Sequence, residues 1–191
     1  MTEGRNHFKI TLNAPAVLGF VLLCFLATLL GVLSDGRITR MVFMTYHSSL
    51  WDPLTYVRFF THVLGHANWG HFLGNASYLL LLGPMLEEKY GAKTLWKVIV
   101  LTALVTGVSN YVFFPQVALC GASGVVFAFI LLASLTGFKH REIPMTFLLV
   151  VVFFLGQQIL EGIFVEDQIS NLAHILGGIV GAVVGFRWKK R

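Results

Sequence analysis

Six stretches of the chain are apolar almost without interruption, and shorter polar or charged segments separate them. They cover residues 14–33, 69–86, 94–114, 123–137, 144–162 and 172–186. A helix needs about 20 mostly apolar residues to cross the hydrocarbon core of a bilayer. The pattern predicts an all-α, polytopic membrane bundle of six transmembrane helices, with residues 1–191 forming one domain. Strands of a membrane barrel would alternate apolar and polar residues, and these runs do not. The first run lacks a small-residue cleavage site and ends in the turn Ser34-Asp35-Gly36-Arg37, so it reads as a retained span. The fourth run is short for a full crossing. The first outer loop, 34–68, is long and carries Met41, Phe43, Tyr46, Leu50, Trp51, Tyr56, Phe59 and Phe60. Such a segment is expected in the membrane interface with its aromatics at headgroup level, or packed on the outer ends of the bundle.

Composition agrees. Hydrophobic residues make up 56% of the chain and charged residues 12%, against about 45–50% and about 25% in soluble domains. Mean hydropathy is +0.76. Intrinsic disorder is excluded, since it needs low hydrophobicity and high charge. A disulfide scaffold is excluded because the only cysteines are Cys24 and Cys120, which read as free thiols. The net charge is +5, but the cations flank apolar runs rather than forming the basic patch a nucleic-acid partner needs. Of the 14 Lys and Arg residues, only Arg37, Arg40 and Arg58 fall on one side of the six-span arrangement. Positively charged loops stay inside, so both termini are expected in the cytoplasm. Nothing in the pattern specifies an oligomeric state.

Polar side chains inside spans are costly and mark function by default. Three groups stand out. Gly121-Ala122-Ser123-Gly124 opens the short fourth run. Glycine permits close backbone approach, and a first-turn N–H is a free donor for a developing negative charge. The same residues also fit a small-residue packing motif with a serine N-cap. Asn171-Leu172-Ala173-His174 precedes Gly177, Gly178 and Gly181. His174 lies on the glycine side of that helix, facing a neighbour, where a neutral imidazole can act as general base or simply hydrogen-bond in packing. The third group is His62, His66, His71 and Asn75. His62 with His66, and His71 with Asn75, are each four apart and can share a helix face. No His-Glu-x-x-His pattern is present and no acid lies among them, so no metal site is expected. Together the groups supply a nucleophile, a base and an oxyanion-binding set at the outer ends of their spans. No carboxylate lies inside the second, fourth or sixth run to orient the histidine, which makes a serine hydrolase a Ser–His dyad rather than a triad.

In order, spacing and topology, His62-Val63-Leu64-Gly65-His66 leading to His71 and Asn75, then Gly121-Ala122-Ser123-Gly124, then Ala173-His174-Ile175-Leu176-Gly177 with Gly181, resemble the rhomboid family of intramembrane serine proteases in its six-helix bacterial form. The resemblance covers residues 58–185. It implies that Ser123 is the nucleophile and His174 its general base and acid. It implies an oxyanion site made by the Ser123 N–H with His71 and Asn75, supported by Gly121, Gly124, Phe127, His66 and Gly177. It implies no cofactor, transmembrane segments of other proteins as substrates, a bacterial inner membrane, and a site opening to the outer side. Glu87 is read as a structural contact at the cytoplasmic end. Two positions depart from the family pattern: Val57 precedes Arg58 where a tryptophan is usual, and Phe127 stands where a tyrosine is common. The alternative within the family is an inactive relative that binds membrane proteins for quality control, although such relatives usually lack the serine or the histidine.

Loop 162–170, with Phe164 and Val165, reads as a lid or as a plain connector. The fifth span, with Phe147, Phe153 and Phe154, reads as a mobile gate or as a lipid-facing stripe, with Gln157 and Gln158 touching substrate or capping the bundle.

Overall fold

The computed structural model describes residues 11–137, 142–156 and 168–187. Five long helices and three short ones carry these residues, with a single antiparallel bridge between Thr45 and Leu119. Helix α1 (Pro15–Leu33) starts with proline at its first position, where the missing N–H costs nothing. Its N-cap, Ala14, has no side chain to satisfy the next donors. Glu87 does so from the far end of α4 (Trp69–Tyr90): Oε1 accepts from the Ala16 N–H at 2.9 Å and Oε2 from the Val17 N–H at 3.0 Å. The start of α1 thus lies beside the end of α4. Phe25, later in α1, meets Trp69 and Phe72 early in α4, so the two helices run antiparallel. Glu87→Ala leaves two donors without their acceptor and is expected to cost about 1–3 kcal/mol, read as a lowered melting temperature in detergent.

Gly91, at φ +80°, turns the chain directly from α4 into α5 (Ala92–Phe113). Helix α6 (Ser123–Ser134) is the axis of the bundle: Val125, Ala128, Phe129, Leu131 and Leu132 are all fully buried. It is apolar on every side, as a central helix is. Helix α7 (Met145–Val150) continues as a π-helical turn over Val151–Leu155. Helix α8 (Gln168–Arg187) packs closely on α6, backbone against backbone at Gly177 and Gly181. A Cβ on Gly177 would fall on the Gly124 carbonyl, one on Gly181 on the Ala128 carbonyl, and one on Gly185 within 2.7 Å of Leu135. Contacts that rise together along both chains make the pair parallel.

Loop 34–68 contains α2 (Arg37–Val42) and α3 (Pro53–Thr61). Asp52 caps α3 by accepting from the Leu54 N–H at 3.0 Å. Arg58 holds the loop together from its buried position. Nε donates to the Met41 carbonyl at 2.8 Å, Nη1 pairs with Asp52 at 3.3 Å, and the guanidinium lies 4.6 Å from the centre of the Tyr46 ring. The loop is therefore anchored without the tryptophan that Val57 replaces. Its rim is apolar and open, with Trp51 96% exposed and Tyr56 and Phe60 half exposed.

Several expectations are corrected. His62 and His66 do not share a helix face, because α3 ends at Thr61 with His62 as its C-cap and His66 follows a turn. The second span runs on to Tyr90 through Pro84. The last helix starts at Gln168 rather than 172, with Asn171 buried inside it, so the final residues of loop 162–170 are helical. Phe164, Val165, Gln157 and Gln158 lie outside the described residues. Among the described residues, α1 and α5 are long and apolar enough to cross a bilayer. Helix α6, with 12 residues, is about 18 Å long, well short of a crossing.

Candidate active site

The segment that leads into α6 is fixed by backbone and side-chain hydrogen bonds. Thr45 and Leu119 exchange N–H···O bonds of 2.9 Å. The Asn110 amide donates to the carbonyls of Thr45, at 3.3 Å, and Val117, at 3.1 Å. The Gly121 N–H donates to the His62 carbonyl at 2.9 Å. The Ala122 N–H donates to His66 Nε2 at 3.4 Å. With Nε2 accepting, the proton of that imidazole sits on Nδ1, which donates to the Leu64 carbonyl at 3.1 Å. His66 thus supports the loop rather than a metal. His62 is also fully engaged: Nδ1 lies 3.1 Å from the Arg58 carbonyl and Nε2 3.1 Å from Thr106 Oγ1.

Gly121 has φ +132°, a region that only glycine adopts without strain. A Cβ there would sit 2.7 Å from Cε1 and 2.9 Å from Nε2 of His71, and 3.9 Å from Nδ2 of Asn75. The loop therefore lies directly against the His71–Asn75 face of α4. Among the described residues, Asn75 Nδ2 is buried with no hydrogen-bond partner. Buried donors are nearly always paired, and this one lies next to the loop at Gly121.

Ser123 is the first residue of α6 and half-buried. The N-cap is Ala122, with no side-chain cap. The alternative of a serine N-cap is thereby set aside. Gly124 does serve packing, since a Cβ there would press on the Ala173 carbonyl at 3.3 Å. One turn after Ser123, the Phe127 ring stacks on His174, with centroids 4.3 Å apart and planes 5° from parallel. The register of α6 on α8, Gly124 beside Gly177, brings His174 to the level of the first turn of α6. Ser123, His174, His71, Asn75, Gly121 and Phe127 therefore gather at one end of the bundle, around the loop that His66 supports. Cys120 is adjacent, but burial pushes its thiol up to about 11, which leaves it protonated near neutral pH. No cluster of three or more His, Cys, Asp or Glu side chains that could hold a metal occurs among the described residues. The sequence reading does not single out Asn110, although a polar residue inside an apolar run is a usable signal.

Burial pushes His62 down to about 4, and burial together with the neighbouring His71 pushes His66 down to about 4, from an ordinary 6.5. Both side chains are neutral in the folded protein at pH 7 but take up protons more readily once unfolded. Their contribution to stability is complete above pH 6.5 and is lost as pH falls toward 4. The melting temperature in detergent is expected to decline across that interval. A flat profile there contradicts the buried, neutral histidines.

The rhomboid domain family model matches residues 53–191. The chain is 30% identical over 185 residues to the rhomboid protease GlpG of Haemophilus influenzae, covering 93% of this chain and 90% of that protein. It is 27% identical over 187 residues to the rhomboid protease GlpG of an Enterobacter strain, covering 64% of that protein. It is 32% identical over 142 residues to rhomboid-related protein 1 of Caenorhabditis elegans, covering 39% of that protein. The fold and these matches define an all-helical integral membrane protein of the rhomboid class. The chain belongs to the rhomboid family.

Proposed function

We propose that this chain is an intramembrane serine endopeptidase that cleaves transmembrane segments of other membrane proteins through a Ser123–His174 dyad. The observation that carries the reading is the convergence on one loop. The stacked His174 lies at the level of the first turn of α6, and His71 and the unpartnered Asn75 Nδ2 lie against Gly121.

His174, neutral, takes the proton from Ser123 Oγ as that oxygen attacks the carbonyl carbon of the scissile peptide. The carbonyl π bond opens and places the charge on oxygen. The Ser123 N–H and the side chains of His71 and Asn75 donate to that oxyanion. The tetrahedral intermediate collapses, the C–N bond breaks, and His174 returns its proton to the leaving amine. Water then adds to the acyl-enzyme with His174 again as base, releasing the acid and restoring the hydroxyl. The substrate helix must unwind locally, because a helical carbonyl is hydrogen-bonded within its own backbone; helix-breaking residues near the cleavage point favour this. Removing one oxyanion donor, as in Asn75→Ala, is expected to lower kcat by about 10²–10³ with a smaller effect on KM.

All six apolar runs are read as spans in this proposal, with both termini in the cytoplasm of a bacterial cell and the site opening outward. The test is cleavage of a single-span reporter by the chain reconstituted in lipid vesicles, with the fragments identified by mass. A cut near the outer end of the reporter's span is expected. An intact reporter, with properly folded protein, favours the inactive binding relative instead.

A further inference from the structure

Helix α7 changes pitch partway along. It is α-helical over Met145–Val150 and π-helical over Val151–Leu155. A π turn inserts a residue and re-aims the side chains around it, and such turns concentrate at functional sites. Val152 and Phe153 in this turn are 63% and 67% exposed, whereas Phe154 is 37% exposed. The difference is a contact. The Phe154 ring meets Phe127 edge-on, with centroids 6.1 Å apart and planes at 77°. Phe127 in turn lies face-on to His174. Three rings therefore run in a row from the π turn that continues α7, through α6, to α8.

A nearly parallel stack at 4.3 Å fixes the plane of the imidazole, because turning the ring about its Cβ–Cγ bond breaks the contact. Phe127 is only half-buried and has no hydroxyl with which to anchor itself, so what holds it must be packing. Phe154 supplies that packing from outside. We propose that Phe154, aimed by the π turn, is a positioning residue for His174, acting through Phe127. The inference rests on the reading of His174 as the general base.

The test uses the full chain in lipid vesicles, with Phe154→Ala, Phe154→Leu and Phe154→Trp. Two readouts are taken: the second-order rate of labelling by a fluorophosphonate, and kcat and KM on the single-span reporter. Loss of the ring contact in the Ala and Leu variants is expected to lower the labelling rate and kcat by up to about tenfold. KM is expected to stay within about twofold, because an orienting contact acts on the chemical step. The Trp variant restores an aromatic edge and is expected to recover most of the loss. Leucine keeps an apolar side chain at a partly lipid-facing position, so its effect is not one of misfolding. Unchanged labelling and kcat in the Ala and Leu variants overturn the inference alone, as does a rise in KM with kcat intact, which makes Phe154 a substrate contact. A wild type that takes no label overturns the dyad and this inference together.

Discussion

Ser123→Ala is expected to abolish reporter cleavage while leaving the fold intact. The loss should be of order 10⁴–10⁶ in kcat, down to the background rate, as when the nucleophile of a serine hydrolase is deleted. Stability should hardly change, because the Ser123 hydroxyl neither caps α6 nor fills its core: Ala122 is the N-cap and Ser123 is half-buried. His174→Ala should cost a similar factor, and the double variant little more than either alone, since nucleophile and base act as one unit. Kinetics on the vesicle-embedded reporter and melting curves of each variant measure both halves. A Ser123→Ala protein that still cuts at the wild-type position moves the nucleophile elsewhere.

Gly177→Val is expected to do comparable damage by a different route. At this position α8 touches the α6 backbone itself, and any Cβ would overlap the Gly124 carbonyl. Backbone has no rotamer with which to step aside, so the two helices must move apart. Overpacking of this kind costs about 1–3 kcal/mol or more, and here the displaced element carries His174. Both the melting temperature and the cleavage rate should fall, with the rate falling further than the stability loss alone explains. Gly74→Ala is the control: a Cβ there meets nothing within 4 Å, and the variant should behave as wild type. If Gly177→Val cuts at full rate, the close packing of α6 on α8 does not set the geometry of the site.

The helices, and the glycine and polar positions that the structure gathers around Gly121, were legible in the sequence for a simple reason. Apolar runs report burial in lipid or protein directly, and glycines or polar groups within such runs are exceptions that demand a cause. Gly177 and Gly181 could be read as a close-approach face, and the structure shows what approaches. Tertiary ties were not legible, because they join residues far apart in the chain. Glu87 was readable as structural, but its partners are the N–H groups of Ala16 and Val17, about seventy residues earlier. Arg58 was seen as a family position, yet its grip on Met41, Asp52 and Tyr46 depends on how the loop folds back on itself. His66 looked like half of a helical pair, and its hydrogen bond, accepting from Ala122 beside Ser123, follows only once α3 has ended at Thr61. The π turn under Phe154 leaves no signature in a run as uniformly apolar as Val150-Val151-Val152-Phe153-Phe154.

The most direct measurement is the site of covalent capture. The vesicle-embedded chain is treated with a fluorophosphonate, digested, and the modified residue located by tandem mass spectrometry, for wild type and for His174→Ala. The account predicts a single phosphonylated residue, Ser123, in wild type and almost no adduct once His174 is gone. An adduct on any other residue, or equal labelling of Ser123 without His174, contradicts it.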